Sequence, residues 1–410
     1  MKQLFTSLLM AFSLASFAAE NTQTITVDNV ERSFIYYTPT SYDNTKDYNT
    51  LMLLHPIGTS ASAFSANCRP QTIADNNDCI VVFPQALDEQ DNEVKTAISS
   101  LENYGVSTSE ISFLKTQYVW GAGVRLSIDY IMPYVPASYQ SLLPMILPNI
   151  YKQGYLELNK NVDDVKYLNA VFDYLEENAA ANGTNYIAGA SIGGAMTYKY
   201  IYSEESQASK AAIIHGFVSL GTDTTGIALN IPLCVFHSQA DSIAKYEGGA
   251  FNGSILETIE NIANANGCSP AVTDSLEDLQ DDNMRVVRKT YENANQNTVY
   301  FYIVDNASHF DFLTIENNDI DYITKMEEFF FFKDKTDVET VVNTKSTVYP
   351  NPAKSVLYTS EAGYYKIVDL SGKTVQQGNA SSGTAINVSN LSKGNYLLKQ
   401  ERNTTIFLKE

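Results

Sequence analysis

The sequence predicts an α/β chain: a mostly parallel sheet flanked by helices, followed by a small antiparallel β-sandwich. Three observations carry this. Apolar runs such as TLMLLH (50–55), CIVVFP (79–84) and PLCVFH (232–237) are continuous, which suits strands buried on both faces of a parallel sheet. Helical periodicity lies between such runs, with Val162, Val165, Leu168, Phe172 and Leu175 recurring at threes and fours. Beyond residue 335 the texture changes to short alternating pieces separated by turn residues.

In order, the chain opens on MKQLFTSLLMAFSLASFAAE, a lysine, an apolar run and small residues around Ala18 and Ala19. That layout predicts a secretory signal peptide over 1–19. Ser7, Ser13 and Ser16 interrupt the run, which falls short of the ~20 apolar residues a membrane anchor needs. Residues 20–335 form the α/β domain, with further strands expected at TITV (24–27), RSFIYY (32–37), YIAGA (186–190), AIIHGFVSL (212–220) and VYFYIV (299–304). An insertion over about 88–160 carries Pro133, Pro136, Pro144 and Pro148, which predicts irregular chain or short helices forming a lid or pocket wall. Tyrosines 130, 134, 139, 151 and 155 with Trp120 supply either an aromatic binding surface or ordinary packing. A polar linker at 336–345 leads to the tail, 346–410, where SVLYTS, YYKIVD, TAINVS, NYLLKQ and TTIFLK alternate. The tail holds no histidine or cysteine, so hydrolytic chemistry belongs upstream.

The net charge of −20 disfavours nucleic acid and anionic membrane surfaces as partners. Cys68, Cys79, Cys234 and Cys268 lack zinc-ligand spacing. In an oxidising compartment Cys68 and Cys79 are the preferred disulfide pair, while Cys234 reads equally as a buried free thiol.

Gly189-Ala190-Ser191-Ile192-Gly193 spells G-x-S-x-G where a strand-like run gives way to a helix-like one. A serine hydroxyl is a poor nucleophile unless a histidine takes its proton and a carboxylate orients that histidine. Where G-x-S-x-G marks a nucleophile elbow the partners follow in the order Ser, Asp/Glu, His. Asp241 stands on the loop after PLCVFH, and His309 is the one histidine downstream of it. His55 and His237 end strands, where His55 fixes the adjacent loop through its ring, and His215 reads as a hydrogen-bonded core residue. An oxyanion needs preplaced N–H donors. Ile192 supplies one at the start of its helix; Pro56 has no N–H, so Ile57 supplies the other. The set needs no metal and no cofactor.

On these residues the chain resembles secreted esterases of the α/β-hydrolase superfamily. The similar group is that of poly(3-hydroxybutyrate) depolymerases and of feruloyl and acetylxylan esterases, carbohydrate esterase family 1 in the broad sense. LMLLHPIGTSASAF looks like the oxyanion segment of that group, VDDVKYL its helix start, PLCVFHSQADSIAKYEGG its acid loop and FNGSILETIENIANANGCSP its helix end. Pro56 and Ser238 replace the usual glycines, and NASHF replaces a glycine-rich stretch before His309. The tail pieces STVYPNPAKSVLYTS, YYKIVDLSGKTVQQG and LSKGNYLLK resemble the C-terminal sorting domain of type IX secretion cargo in Bacteroidetes. A carbohydrate-binding sandwich is the alternative, which would expose aromatic platforms; no tryptophan occurs in the tail.

The resemblance implies an α/β-hydrolase fold and a secreted serine carboxylic-ester hydrolase with Ser191, Asp241 and His309 as catalytic residues. Its substrates would be feruloyl or acetyl esters of plant or algal polysaccharides, or related polyesters. The tail implies export through periplasm and outer membrane, with the type IX machinery as partner and the product secreted or held at the cell surface. A secreted serine peptidase and a non-catalytic surface-binding protein on a hydrolase fold are the alternatives.

Overall fold

A ten-stranded sheet organises the first unit of the chain, Met1–Phe332. The computed structural model describes residues 20–331 and 348–410, apart from 101–102, 104–116, 135–136, 223, 225–228, 251, 277–284, 296, 312–318, 360–362, 370–372, 382, 384 and 401–403. The expected leader, 1–19, and linker, 336–345, lie outside the described residues.

The strands are β1 (Glu20–Val27), β2 (Val30–Tyr37), β3 (Tyr48–Leu54), β4 (Cys79–Pro84), β5 (Arg125–Ser127), β6 (Tyr155–Glu157), β7 (Ala181–Ala190), β8 (Ala208–Ile214), β9 (Leu233–Ser238), β10 (Val272–Ser275), β11 (Val286–Tyr291) and β12 (Val299–Val304). The large sheet runs β1-β2-β4-β3-β7-β8-β9-β12-β11-β10. From β4 to β12 the neighbours are parallel; β1, β2, β10 and β11 add antiparallel edges. This mostly parallel order with helices on both faces is the α/β-hydrolase fold.

Strand pleating explains the unbroken apolar runs. Met52, Leu54, Ile80 and Val82 enter the core cluster that includes Leu168 and Phe172 of the Asp164–Asn178 helix and Met196 of the Ile192–Ile201 helix. Leu51, Leu53, Val81 and Phe83 enter the opposite cluster, covered by the Pro70–Asn77 and Tyr322–Phe331 helices. Both faces are therefore buried, and the middle of a central strand, such as Leu51–Leu54 or Ile80–Phe83, is apolar at consecutive positions.

Three differences from expectation have physical reasons. The AIIHGFVSL run is strand only to Ile214, because His215 turns to φ +48 and leaves the extended region. The strands β10 and β11, where no strand was expected, carry charged residues (Asp274, Arg288 and Lys289) at an edge where one side meets water, so no apolar run marks them. The expected Cys68–Cys79 bridge is not formed; all four cysteines are free thiols. Cys68 and Cys79 pack as small apolar side chains in one core cluster, with the Cys79 thiol directed at the Ile73 carbonyl (3.8 Å).

Within the insertion, short helices at Asn92–Ser100, Ile128–Ile131, Leu143–Ile146 and Pro148–Gln153 accompany a two-stranded ribbon of β5 and β6. No helix among the described residues is long and apolar enough to cross a membrane.

The second unit, Lys333–Glu410, holds two antiparallel sheets. One joins β13 (Val348–Tyr349), β14 (Val356–Thr359) and β17 (Ala385–Asn387); the other joins β15 (Gly363–Asp369), β16 (Thr374–Ala380), β18 (Gly394–Gln400) and β19 (Thr404–Lys409). Leu357, Ile367, Ile386, Leu398 and Phe407 fill a core of their own.

Candidate active site

Ser191 sits at φ +54, ψ −117 between β7 and the Ile192–Ile201 helix. A non-glycine residue with positive φ is strained, and such strain persists only where the surroundings over-determine it. Here the neighbours force the turn. A Cβ on Gly189 would stand 2.6 Å from Thr197 Oγ1, and one on Gly193 would stand 2.7 Å from the His55 carbonyl oxygen. Only glycine at both positions lets helix, turn and the end of β3 touch through their backbones. The Ser191 N–H donates to the Ile214 carbonyl (2.9 Å), which fixes the turn from the other side.

The hydroxyl so presented lies 2.7 Å from His309 Nε2, and His309 Nδ1 lies 2.7 Å from Asp241 Oδ2. All three side chains are buried. The second oxygen of Asp241, Oδ1, accepts the N–H groups of Ile243 and Ala244, both at 2.9 Å. These bonds fix the carboxylate plane and the tautomer of His309, whose Nδ1 carries the proton while Nε2 accepts from the serine. Burial alone would raise the Asp241 pKa, but the facing His215 and His309 imidazoles outweigh it and hold the carboxyl well below its ordinary 3.8.

Of the two sequence-predicted oxyanion donors, Ile192 directly follows the turn, and Ile57 lies two residues beyond His55, whose carbonyl oxygen a Cβ on Gly193 would meet. The first bond of the Ile192–Ile201 helix runs from Ala195 N–H to the Ser191 carbonyl (3.0 Å), so the Ile192 N–H stands outside the helical ladder. Ile57 follows β3 and half exposes its side chain. Its peptide is oriented by His55. That ring accepts the Ala86 N–H at Nε2 (3.1 Å), so Nδ1 carries the proton and donates to the Pro56 carbonyl (2.8 Å). A peptide is planar with C=O and N–H opposed, so fixing the Pro56 carbonyl fixes the Ile57 N–H. Burial drives the His55 pKa down to about 4 and keeps the ring neutral.

Behind this loop lies a strap that the sequence did not reveal. Trp120, fully buried, donates from Nε1 to the His55 carbonyl (2.9 Å), and the Gly58 N–H donates to the Tyr118 carbonyl (3.3 Å). The Gly121 N–H donates to Asp164 Oδ2 (2.7 Å), and Asp164 pairs through Oδ1 with buried Arg32 (2.7 Å). The VDDV segment thereby has two jobs: Asp163 caps its helix by accepting the Lys166 N–H, and Asp164 holds the strap. Trp120 is core packing. Tyr151 is exposed and Tyr130 and Tyr155 are partly so, while the side chains of Tyr134 and Tyr139 lie outside the described residues.

All the histidines except His55 converge on Asp241. His237 Nε2 donates to the Ala244 carbonyl (2.7 Å) and pins the acid loop from below. His215 Nδ1 lies 3.5 Å from Asp241 Oδ2. Among the described residues, His215, Asp241 and His309 are the one grouping tight enough to hold a metal ion, their ligand atoms lying within 4.8 Å. Their facing atoms are directed at one another, with the shared Asp241 oxygen bonded to His309 at 2.7 Å, which makes a hydrogen-bonded network. Spacing alone hid this convergence, because strand ends far apart in sequence meet at one edge of a parallel sheet.

Residues 347–409 match the family described as secretion system C-terminal sorting domain. No curated protein matches the chain. Solved structures similar to it include the acetyl xylan esterase of Aspergillus awamori, 12% identical, with a TM-score of 0.44 over 76% of this chain and 100% of that one. Others are the S-formylglutathione hydrolase of Staphylococcus aureus, 10% identical, with a TM-score of 0.40 over 77% and 98%, and a ferulic acid esterase of Anaeromyces mucronatus, 11% identical, with a TM-score of 0.36 over 71% and 85%. An α/β-hydrolase fold and a terminal unit similar to secretion sorting domains thus share one chain.

Proposed function

We propose that the chain is an exported serine carboxylic-ester hydrolase working through an acyl-enzyme. One observation carries the reading: an unbroken buried relay from Ser191 Oγ through the His309 ring to Asp241, 2.7 Å at each step. Ser191 Oγ attacks the ester carbonyl carbon while His309 Nε2 takes its proton. Asp241 steadies the imidazolium, and the Ile57 and Ile192 N–H groups receive the oxyanion. The tetrahedral species collapses, the alcohol leaves with the proton from His309, and water repeats the sequence to release the acid.

In this reading residues 1–19 are a cleaved leader, 20–335 the catalytic domain, 336–345 a linker and 346–410 the address read by a type IX secretion machinery. Feruloyl or acetyl esters of plant or algal polysaccharides, or related polyesters, are the substrates, since an exported enzyme meets polymers that cannot enter a cell. The test is labelling with a fluorophosphonate probe followed by a panel of aryl, acetyl, feruloyl and peptide substrates. Labelling at Ser191 and ester turnover are expected, with Ser191→Ala lowering kcat by on the order of 10^5-fold. Turnover of peptides in preference to esters, or near wild-type hydrolysis by Ser191→Ala, would overturn the reading.

A further inference from the structure

His215 is fully buried at the end of β8 and held at φ +48, a costly conformation for a bulky residue. The backbone around it is fixed on both sides: its own N–H donates to the Phe236 carbonyl (2.8 Å), and the preceding Ile214 carbonyl accepts the Ser191 N–H (2.9 Å). The ring so placed lies between two partners. Nδ1 faces Asp241 Oδ2 at 3.5 Å, and Nε2 faces Tyr322 Oη at 3.2 Å. A bare lone pair on Nδ1 would oppose the carboxylate, so Nδ1 carries the proton and Nε2 accepts from the Tyr322 hydroxyl. The titratable groups facing His215 are Asp241 and His237 from β9 and its loop, His309 and Asp311 from the segment after β12, and Tyr322 from the last helix of the unit.

We propose that His215, backed by Tyr322, is a positioning residue that presents a second imidazole N–H to the Asp241 carboxylate and thereby sets the acid limb of the activity profile. The proposal rests on the triad reading above. The positive end of the His215 N–H lies at the same oxygen that binds His309. It draws off part of the carboxylate field at the His309 ring, so the relay works at lower pH than it would without His215. Removing the donor must therefore raise the acid limb of the activity profile.

The experiment is the pH dependence of kcat/KM for p-nitrophenyl acetate with the full chain. Ser191→Ala comes first, because residual turnover there would sink the triad reading and not this proposal. His215→Gly accepts the left-handed backbone and removes the donor; the acid limb should rise by roughly half a pH unit or more, about a threefold loss at low pH. His215→Asn also accepts that backbone and returns an N–H donor, Nδ2, at the position of Nδ1; its limb should stay within about 0.2 unit of wild type. Tyr322→Phe deletes one hydroxyl and should shift the limb upward by less than His215→Gly. Equal shifts for Gly and Asn, or an unmoved or lowered limb in His215→Gly with only the melting temperature changed, would overturn the proposal. If His215→Gly does not fold, Tyr322→Phe decides it, and an unmoved limb there overturns it.

Discussion

A single backbone angle, the +54° φ of Ser191, lifts the hydroxyl out of the strand plane toward His309. The motif made that turn legible, because the Cβ atoms missing at Gly189 and Gly193 are the ones that would collide. His55 was legible only in part: its place at a strand end suggested loop fixing, but its tautomer follows from the Ala86 N–H, which no sequence pattern displays. The tautomer yields a sharp test. Asn can place Nδ2 where the His55 Nδ1–H stands, whereas Gln reaches only toward the Nε2 position. His55→Gln should lower kcat by roughly 10²-fold, the scale of one lost oxyanion donor, with KM nearly unchanged. His55→Asn should recover most of that loss. Steady-state kinetics on an aryl ester reads both, and equal damage from the two would count against peptide orientation as the role of His55.

At the scale of elements, unbroken apolar runs made the central strands readable, since a strand buried on both faces has no polar register to lose. Edge strands and polar clamps were not readable in the same way, because their residue types are those of any surface. Arg32 and Asp164 look like solvated charges in the sequence, yet both are buried and paired at 2.7 Å, with Arg32 lying over the Tyr167 ring at 3.6 Å. The cost of separating such a pair exceeds its worth when intact, since the remaining partner stays buried with its charge uncompensated. Arg32→Ala should therefore destabilise the first unit by roughly 3–5 kcal/mol. It should also loosen the Trp120–Gly121 strap through Asp164, and hence the loop after β3 that Trp120 ties down at the His55 carbonyl. The double variant Arg32→Met with Asp164→Leu should recover much of the stability without recovering the strap. Urea denaturation and kcat, measured together, separate the two effects; a single variant as stable as wild type would refute the buried-charge argument.

Across the whole molecule, burying His55, His215 and His237 in an acidic chain makes the protonation of their imidazoles a stability problem. Burial lowers the pKa values of His55 and His237 from 6.5 to about 4, and His215 is lowered for the same reason. The unfolded chain takes up the His55 and His237 protons near pH 6.5 and the folded chain only near pH 4. The unfolded state therefore binds more protons across that window, and stability falls as pH falls from 6.5 toward 4. The His55 and His237 shifts each correspond to on the order of 2–3 kcal/mol over the window. Asp241 acts elsewhere: its folded pKa lies below 3.8, so its contribution is intact above that value and is lost only as pH falls further. The expected curve has two descents, one between pH 6.5 and 4 from imidazoles and a second below about 3.8 from the carboxylate. Urea midpoints followed by circular dichroism at pH 7.5, 6.5, 5 and 4 test this independently of activity. His237→Asn should flatten part of the first descent while leaving the second in place. Constant midpoints from pH 6.5 to 4 would show that these rings are protonated at no cost in the folded chain, contrary to their burial.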